Sequence, residues 1–383
     1  MSGLLLYLRI KTLYIMKIRR FLSILPALSI ALLASVSCTS GTDRQMIDSI
    51  DSVFSQAFAG DGPGGAVIIA KGGKVIFDKG YGLADLETGA AIDGNTFFNI
   101  GSMSKQFTSI AILQLSGEGK LSLDDNIHKY FPEFKADFWD RVTIHNLLSH
   151  TSGVPDARGG FPREVKVAAT DSVSVSYLYD LDHLNFEPGE SYEYINPTYV
   201  LLGMIVEKAS GQAFEDYMRE HLFNPAGMKE AIYYAPGRDS VIPSLSHGYV
   251  FNKQDSLWHE DDFGEATFFA TRPDGGLYTS THEFLAWERG LHSGAVISKE
   301  LLELAQTPKV STGEGTKSKY GYGWNLQYRE NMPLNIWHAG VNGGYRAIGA
   351  YYPEADTDLI VFSNRADFDF DGCKAKVEEI MGI

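Results

Sequence analysis

A serine and a lysine lie three residues apart in the stretch NIGSMSKQFTS, which runs from Asn99 to Ser109. The apolar run that follows predicts a helix, and this spacing puts the side chains of Ser102 and Lys105 on one face, one turn apart. At a helix start, unpaired backbone N–H groups and the positive end of the dipole favour an oxyanion. A lysine whose charge is disfavoured by burial or by nearby cations can act as a base toward the serine. The alternative is that Ser102 only caps the helix and Lys105 faces water.

A second pair of polar side chains lies in Tyr194-Ile195-Asn196, the single Y-x-N of the sequence, just before another apolar helical run. A loop that presents a phenol and an amide two residues apart projects both to the same side. Tyr194 could relay protons for the serine, and Asn196 could hold Lys105 or a substrate amide. The alternative is a core tyrosine and a turn asparagine, helped by the Pro197 that follows.

A third element is the stretch IWHAGVNGGYRAIGAYYP, in which His338, Ala339 and Gly340 fall in a predicted edge strand. Glycine at such a position lets another backbone approach closely. A reacting carbonyl could lie against that edge, with its oxygen held by main-chain N–H groups.

The elements that must position these residues change character along the chain. A helical pattern from Asp43 to Phe58 precedes GAVIIAKGGKVIFDKGYG, which predicts a β-hairpin turning at Gly72-Gly73. The middle of the chain is mostly helical and loop-rich, and strand character returns with YGYGWNLQ, AIGAYYP and DTDLIVFSN before a short final helix. We therefore predict an α/β lobe that is split in sequence, about 46–101 and 318–383, with a helical lobe, about 102–317, inserted into it.

With these motifs the chain resembles the serine β-lactamase and penicillin-binding protein family, including class C β-lactamases, D,D-carboxypeptidases, D-aminopeptidases and esterases. IGSMSKQFTS is similar to the nucleophile helix of that family, YIN to its second motif and HAG to its third. LLSHTSGV, from Leu147, and GGLYTST, from Gly275, resemble two further stretches common in the family. The resemblance runs from about Ile47 to the C-terminus. It implies an α/β (α+β) fold, an antiparallel sheet flanked by helices, for a catalytic domain over residues 46–383.

The resemblance also implies a role for each matching residue. Ser102 would be the acylated nucleophile, and Lys105 and Tyr194 would share its activation. The backbone N–H groups of Ser102 and Val341 would form the oxyanion hole. The substrate-binding residues would be Asn196, His338, Ala339, Gly340 and Arg346.

One departure from the family pattern bears on the substrate. Class C β-lactamases carry lysine and a hydroxyl in the third motif, where this chain has His338 and Ala339, which offer much less to a carboxylate. We therefore expect a cell-envelope serine hydrolase that acts through an acyl-enzyme on an ester, an amide or a D-amino-acid peptide. The alternatives are a true class C-like β-lactamase or D,D-carboxypeptidase, and a non-catalytic binder of cell-wall peptides.

Residues 1–37 resemble a bacterial export signal, with basic residues, an apolar run from Phe21 to Leu33 and small residues before Cys38. The apolar run is too short for a comfortable membrane span. Cys38 and the polar residues after it resemble a lipoprotein signal, so we expect lipidation at Cys38 and a linker over 38–45. The protein would then lie in the periplasm or on the outer surface of the cell envelope. Ordinary cleavage and secretion without an anchor is the alternative.

Composition and charge limit the partners of the chain. Its 383 residues are 44% hydrophobic and 21% charged, as in soluble globular proteins, and the formal net charge is −15. Residues 1–37 hold five basic side chains and no acidic one, so the remainder has 28 basic against 48 acidic residues, or −20. The phosphate groups of a nucleic acid would repel a protein with this negative charge. We expect a monomer with a small-molecule or peptide substrate, no nucleic acid partner, no cofactor, and membrane contact only through the anchor.

No metal site is predicted. His145 and His150 are expected to serve packing or loop hydrogen bonds rather than zinc binding. The stretch before the last helix satisfies the EF-hand calcium pattern at Asp367, Asp369, Asp371, Gly372 and Glu378. However, LIVFSN before it is typical of a strand and not of the entering helix of an EF-hand. The preferred interpretation is an acidic loop that caps the last helix.

Overall fold

Strands from both ends of the chain form one eight-stranded sheet in the computed structural model. The structure describes residues 41–162, 170–233, 242, 244–261, 271–313, 317–330 and 332–383. The described strands, β1 to β15, are Gly65–Lys71, Lys74–Tyr81, Leu83–Asp85, Ala90–Ala91, Phe98–Asn99, Ile232–Tyr233, Tyr249–Asn252, Leu257–Glu260, Leu277–Thr279, Val310–Ser311, Ser318–Tyr320, Asn325–Gln327, Asn335–Asn342, Tyr345–Tyr352 and Thr357–Ser363.

In the sequence, most of the described α-helices lie between the N-terminal strands and the C-terminal strands of this sheet. Numbered α1 to α11, they are Gly41–Ala57, Ser104–Gly117, Ile144–Leu148, Asp171–Ser174, Asn196–Ser210, Phe214–Met218, Asn224–Ala226, Arg272–Gly275, Thr281–Ser293, Lys299–Ala305 and Phe370–Met381. A π-helical segment, Arg219–Phe223, joins α6 to α7, and 3₁₀ turns include Gly101–Met103 and Arg158–Gly160. None of these described helices is long and apolar enough to span a membrane.

The chain divides into two units, residues 1–48 and residues 49–383. Of the first unit the structure describes only the beginning of helix α1. The second unit contains the whole eight-stranded sheet. The division of residues 46–383 into an α/β lobe and an inserted helical lobe stays a prediction.

The sheet is antiparallel throughout, in the order β10-β11-β12-β13-β14-β15-β1-β2. Strand β1 pairs with β15, with Gly65 opposite Ser363, and this pairing joins the N-terminal hairpin to the C-terminal strands. The predicted hairpin is present, since Lys71 pairs with Lys74 around Gly72-Gly73. Both glycines have positive φ values, 57° and 71°, as a tight turn requires. This antiparallel sheet with flanking helices confirms the predicted fold class.

Helix α2 lies inside the protein core. Eleven of its 14 residues are buried, which is typical of a helix covered on all sides rather than on one face. Phe107 stacks on Trp287 of α9 with ring centroids 4.0 Å apart, and the Thr108 hydroxyl donates to the Pro273 carbonyl at 2.7 Å. These contacts fix the position of the Gly101–Met103 turn that leads into the helix.

Strand β13 passes close to that same turn. Its neighbour β12 pairs only with Asn335–Trp337, so the outer edge of residues 338–342 has no strand partner among the described residues. A Cβ atom on Gly340 would lie 1.8 Å from the carbonyl oxygen of Ile100. Glycine is therefore required at this position for the strand to approach the turn.

Glu378 on α11 is the centre of a buried ionic cluster. Its carboxylate accepts hydrogen bonds from Arg329 at 2.8 and 2.9 Å, from Lys374 at 2.6 Å and from the Tyr352 hydroxyl at 2.6 Å. Burial alone would raise the pKa of Glu378, but these three donors outweigh it and lower the pKa below the ordinary value. The cluster ties α11 to the sheet.

The last helix also decides between the two interpretations of its acidic stretch. Asp369 caps α11 by accepting a hydrogen bond from the Gly372 N–H at 2.9 Å. Asp371 and Glu378 lie within the helix, not in a twelve-residue calcium loop. The helix-capping interpretation is confirmed, and the residues from Phe370 on do not form an EF-hand loop.

Replacement of Glu378 by glutamine tests the ionic cluster. The change leaves Arg329 and Lys374 without their carboxylate, so we expect a loss of about 3 kcal/mol in the free energy of unfolding. Because the folded pKa is lowered, the carboxylate stabilises the protein above its unfolded pKa of about 4.5 and loses its effect as pH falls through the folded value. Urea unfolding at pH 7 and below pH 4.5 measures both effects.

The exposed neighbour Glu379 supplies the matched control. We expect Glu379→Gln to change the free energy of unfolding by no more than about 0.5 kcal/mol. Equal effects of the two substitutions at pH 7 would contradict the importance of the cluster.

Replacement of Gly340 by alanine tests the close approach of β13 to the turn. The added methyl group would collide with the Ile100 carbonyl, so we expect a destabilisation of about 1–3 kcal/mol, measured by thermal unfolding. Gly313→Ala is the control, because a Cβ at Gly313 meets nothing within 4 Å and its φ is not positive. If both variants have the melting temperature of the wild type, the strand is not in the position described.

Candidate active site

Ser102 lies in a 3₁₀ turn, Gly101–Met103, which ends immediately before α2 begins at Ser104. The turn is braced by Ser104, whose hydroxyl donates to the Gly101 carbonyl at 2.7 Å and accepts from the Leu277 N–H at 3.1 Å. Ser104 is fully buried in this structural role. The hydroxyl of Ser102, in contrast, contacts Lys105.

A buried asparagine joins this turn to strand β13. The Asn99 Oδ1 atom accepts hydrogen bonds from the Gly101 N–H at 2.8 Å and from the Asn342 side-chain amide at 3.0 Å. Both asparagines are almost completely buried. Because one oxygen holds both partners, the turn and the strand keep a fixed separation.

Lys105 is fully buried and contacts three oxygen atoms. Its Nζ lies 3.0 Å from Ser102 Oγ, 2.8 Å from Asn196 Oδ1 and 2.8 Å from the main-chain oxygen of Asp274. Burial lowers the pKa of Lys105 to about 7, although the Asp274 carboxylate acts in the opposite direction. An amine with this pKa is partly uncharged at neutral pH.

The partners of Lys105 decide what its uncharged form can do. The amide oxygen of Asn196 and the carbonyl of Asp274 can only accept hydrogen bonds, so they take the two N–H groups of a neutral amine. The lone pair of the nitrogen is then left for the Ser102 hydroxyl. The geometry therefore fits a base that removes a proton from this serine.

Tyr194 completes the group around the serine. Its ring centroid lies 4.9 Å from Lys105 Nζ. Burial of the hydroxyl raises the pKa of Tyr194 well above the ordinary value, and the interaction with the nearby Ser102 hydroxyl only partly offsets this. Tyr194 is therefore a protonated phenol at neutral pH, although 37% of the residue is exposed.

His150 supports the loop that carries Tyr194. Its Nδ1 accepts a hydrogen bond from the Ile195 N–H at 3.2 Å, and its ring lies 4.3 Å from that of Tyr194 between centroids. Burial, followed by the nearby Lys105, lowers the pKa of His150 well below the ordinary value. His145 bonds the Tyr322 hydroxyl at 2.7 Å. As predicted, the two histidines make loop and packing contacts.

His338 does not line the cleft, which differs from the expectation. It is 3% exposed, its Nδ1 donates to the Ala339 carbonyl at 2.7 Å, and its Nε2 accepts from the Tyr320 hydroxyl at 3.2 Å. Burial lowers the pKa of His338 to about 3, so the ring is uncharged. It packs behind Tyr194, with ring centroids 6.2 Å apart.

Arg346 is also placed away from the expected position. Its guanidinium donates to the main-chain oxygens of Gly343 at 3.0 Å and Tyr345 at 2.7 Å, at the turn between β13 and β14. The guanidinium of Arg346, which was expected to bind substrate, thus binds carbonyls of its own hairpin end.

The serine opens into a small cleft of about 30 Å³. Three of the nine sequence-predicted residues line it, Ser102, Asn196 and Val341. The other six do not: Lys105, Tyr194, His338, Ala339, Gly340 and Arg346. The main chain of Val341 faces the turn, because a Cβ on Gly101 would lie 2.8 Å from the Val341 nitrogen. The remaining lining residues are Gly101, Asp274, Gly275 and Asn342.

Sequence reasoning missed Asp274 and Arg158 as members of this site. Asp274 lines the cleft and holds Lys105 through its carbonyl, and Arg158 approaches the Asp274 carboxylate at 3.9 Å. A signal was present, since Asp274 immediately precedes GGLYTST and Arg158 follows LLSHTSGV. Their pairing is a tertiary contact that no local pattern indicates.

Comparison with known proteins places the chain among relatives of the same fold. The family model described as Beta-lactamase matches residues 50–380. Penicillin-binding protein 4* of Bacillus subtilis (strain 168) is 31% identical over 320 residues, which cover 79% of this chain and 68% of that protein.

Solved structures agree with this assignment. A penicillin-binding protein from Bacillus halodurans superposes with a TM-score of 0.75 at 25% identity, covering 86% of this chain and 99% of that one. A D-amino acid amidase from Ochrobactrum anthropi SV3, at 22% identity, shares the fold with a TM-score of 0.74 and coverages of 88% and 98%. The family match spans nearly all of residues 49–383 and includes every residue around Ser102, so the chain belongs to the beta-lactamase family.

Proposed function

We propose that this protein is a cell-envelope serine hydrolase that works through an acyl-enzyme on Ser102. The observation that carries the proposal is the placement of Lys105, whose two acceptor contacts leave its lone pair for the serine. Hydrolysis through a serine nucleophile requires this kind of base beside the hydroxyl. The Tyr194 hydroxyl, on which the Ser102 side chain acts, is a second proton carrier near the same oxygen.

The reaction has two halves. In acylation, Ser102 Oγ attacks the substrate carbonyl carbon, its proton passes to Lys105, and the leaving group departs with a proton delivered through Tyr194. In deacylation, water attacks the ester carbon, loses a proton to the same pair and releases Ser102. The carbonyl oxygen would be held by the N–H groups of Ser102 and Val341, whose main chains border the cleft.

The charges around the cleft support a substrate without a carboxylate next to the third motif. His338 is buried and uncharged, and Arg346 donates to carbonyls of its own hairpin. A penicillin carboxylate would find no cation from these residues. We therefore propose an ester, an amide or a D-amino-acid peptide as the substrate. The fold similarity to a D-amino acid amidase is consistent with an amide.

Labelling of Ser102 tests the proposed nucleophile. Because an active-site hydroxyl is acylated or phosphonylated only when it is activated, we expect a fluorophosphonate probe to add to Ser102 of the wild type. Ser102→Ala should gain no adduct, and its hydrolysis of p-nitrophenyl acetate should fall at least about 1,000-fold. Intact-protein mass spectrometry and a chromogenic assay measure the two effects.

The neighbouring serine provides the control. Ser104→Ala should still gain one adduct, because Ser104 braces the turn and does not contact Lys105. Activity toward short acyl esters, D-alanyl peptides and nitrocefin then ranks the substrates. Turnover of nitrocefin above the esters would favour a true β-lactamase, and labelling without turnover of any substrate would favour a binder. A Ser104 adduct in the Ser102 variant would contradict the assignment.

We also propose the lipid anchor at Cys38 and the envelope location that follows from it. Residue 38 lies outside the described residues, so this proposal rests on the sequence pattern alone. In a bacterial host, we expect the wild type to incorporate radiolabelled palmitate and sediment with membranes. Cys38→Ala should do neither, whereas Cys373→Ala, which removes a buried thiol, should behave as the wild type. A Cys38 variant that still takes up label would exclude this anchor.

A further inference from the structure

Two buried side chains of opposite charge lie beside Lys105. Arg158 is 8% exposed and Asp274 is 6% exposed, and their charged atoms approach to 3.9 Å. The Asp274 main-chain oxygen accepts from Lys105, and its carboxylate accepts from the Thr271 hydroxyl at 2.6 Å. Asp274 thus contacts Lys105 through its main chain and also carries a carboxylate that favours the protonated form of the lysine.

Both charges are held in place from outside the cleft. Arg158 makes a two-point contact with Asp156, at 2.9 and 2.8 Å. On the other side, Arg272 donates to Asp171 at 2.9 and 2.6 Å and also contacts Glu215, which fixes the short helix α8. The pair is therefore preorganised and not a surface contact that solvent would screen.

The remaining titratable groups that face Lys105 are uncharged at neutral pH. Tyr194 and Tyr199 present their rings at 4.9 and 5.6 Å, and burial raises the pKa of both hydroxyls. His150 and His338 are kept neutral by burial, which lowers the pKa of each ring. Within the described part of the chain, Asp274 and Arg158 are the charged groups that act on this lysine. Burial raises the pKa of the Asp274 carboxyl, and Lys105 and Arg158 act against that rise.

We propose that Arg158 and Asp274 are positioning residues that control whether Lys105 can accept a proton from Ser102. Asp274 holds the Lys105 amine through its main-chain carbonyl. Arg158 offsets the charge of the Asp274 carboxylate, so that this carboxylate does not keep Lys105 protonated. The catalytic consequence rests on the proposed hydrolase function, whereas the effect on lysine protonation does not.

The two charges act on Lys105 in opposite directions because they have opposite signs, and the low polarity of the buried site strengthens both effects. An unpaired carboxylate near a buried ammonium would stabilise the charged form and raise the pKa of Lys105. The guanidinium lowers that pKa, and burial of the amine is the largest effect of all. Removing one member of the pair should therefore shift the protonation of Lys105 in one direction, and removing the other should shift it in the opposite direction.

Direct titration of Lys105 tests this inference. The full chain is labelled with ¹³C at lysine Cε, and the Lys105 signal is assigned by its loss in Lys105→Arg. We expect a wild-type midpoint near pH 7, a higher midpoint in Arg158→Gln and a lower one in Asp274→Asn. Arg158→Lys keeps the positive charge, and the double variant Arg158→Gln/Asp274→Asn removes both charges. Both should titrate close to the wild type.

The pH dependence of kcat/KM on p-nitrophenyl acetate gives the second readout. Below its midpoint, an enzyme that needs an uncharged base loses activity about tenfold for each step of one in pH. Arg158→Gln should therefore show its acid limb at higher pH, and a limb displaced by one pH unit should lower kcat/KM at pH 6 about tenfold. The double variant should return the limb toward the wild-type position, which a merely structural defect would not allow.

The outcomes separate this inference from the proposed function. An unchanged Lys105 midpoint in Arg158→Gln, or a midpoint that does not fall in Asp274→Asn, overturns the inference. If Arg158→Gln does not fold, Asp274→Asn and the double variant decide by the same titration. If Ser102→Ala retains esterase activity, the proposed function fails while the titration still judges the charge pair.

Discussion

The exclusion of water from the Lys105 amine is the constraint on which the arrangement around Ser102 depends. An ammonium in bulk water holds its proton far above neutral pH, and only desolvation makes a lysine a useful base near pH 7. Helix α2 supplies that desolvation because it is buried on all sides and carries the lysine on its first turn. The two acceptors, Asn196 and the Asp274 carbonyl, then orient the amine toward the serine.

The sheet contributes the other wall of the cleft by bringing a strand edge unusually close to the turn. Gly340 allows the approach, since any side chain would occupy the position of the Ile100 carbonyl. The Asn99 side-chain oxygen holds the turn and the strand at that distance, because it accepts hydrogen bonds from the Gly101 N–H and from the Asn342 side-chain amide. In the proposed reaction, main-chain N–H groups placed in this way need no rearrangement when negative charge develops on a substrate oxygen. The packing of strand β13 against the turn therefore makes this part of the scaffold rigid and also places polarising main-chain N–H groups beside the cleft.

The site contains several aromatic and imidazole groups, yet almost none of them is charged. His150 and His338 lie among tyrosine rings. His150 accepts a hydrogen bond from the Ile195 N–H, and His338 bonds the Ala339 carbonyl and the Tyr320 hydroxyl, which fixes the orientation of the Tyr194 loop and of the strand. A protonated His150 or His338 would be a second buried cation and would lose its solvation by water. The fold does not compensate for that loss, so both rings stay uncharged. The proposed preference for neutral carbonyl substrates over anionic ones rests on this surround, because His338 is uncharged and Arg346 donates to carbonyls of its own hairpin.

Local patterns in the amino-acid sequence were sufficient to predict the local elements and the reactive residue types. Alternating and helical hydrophobic patterns located the hairpin at Gly72-Gly73 and the helix after Ser102, since both depend on contacts between near neighbours in the chain. Motif order also identified the Tyr194 loop. In contrast, the burial of His338, the bonds of Arg346 within its own hairpin and the pairing of Arg158 with Asp274 are evident only from the folded structure. Burial and charge pairing between distant segments arise when the core closes, and no local spacing encodes them.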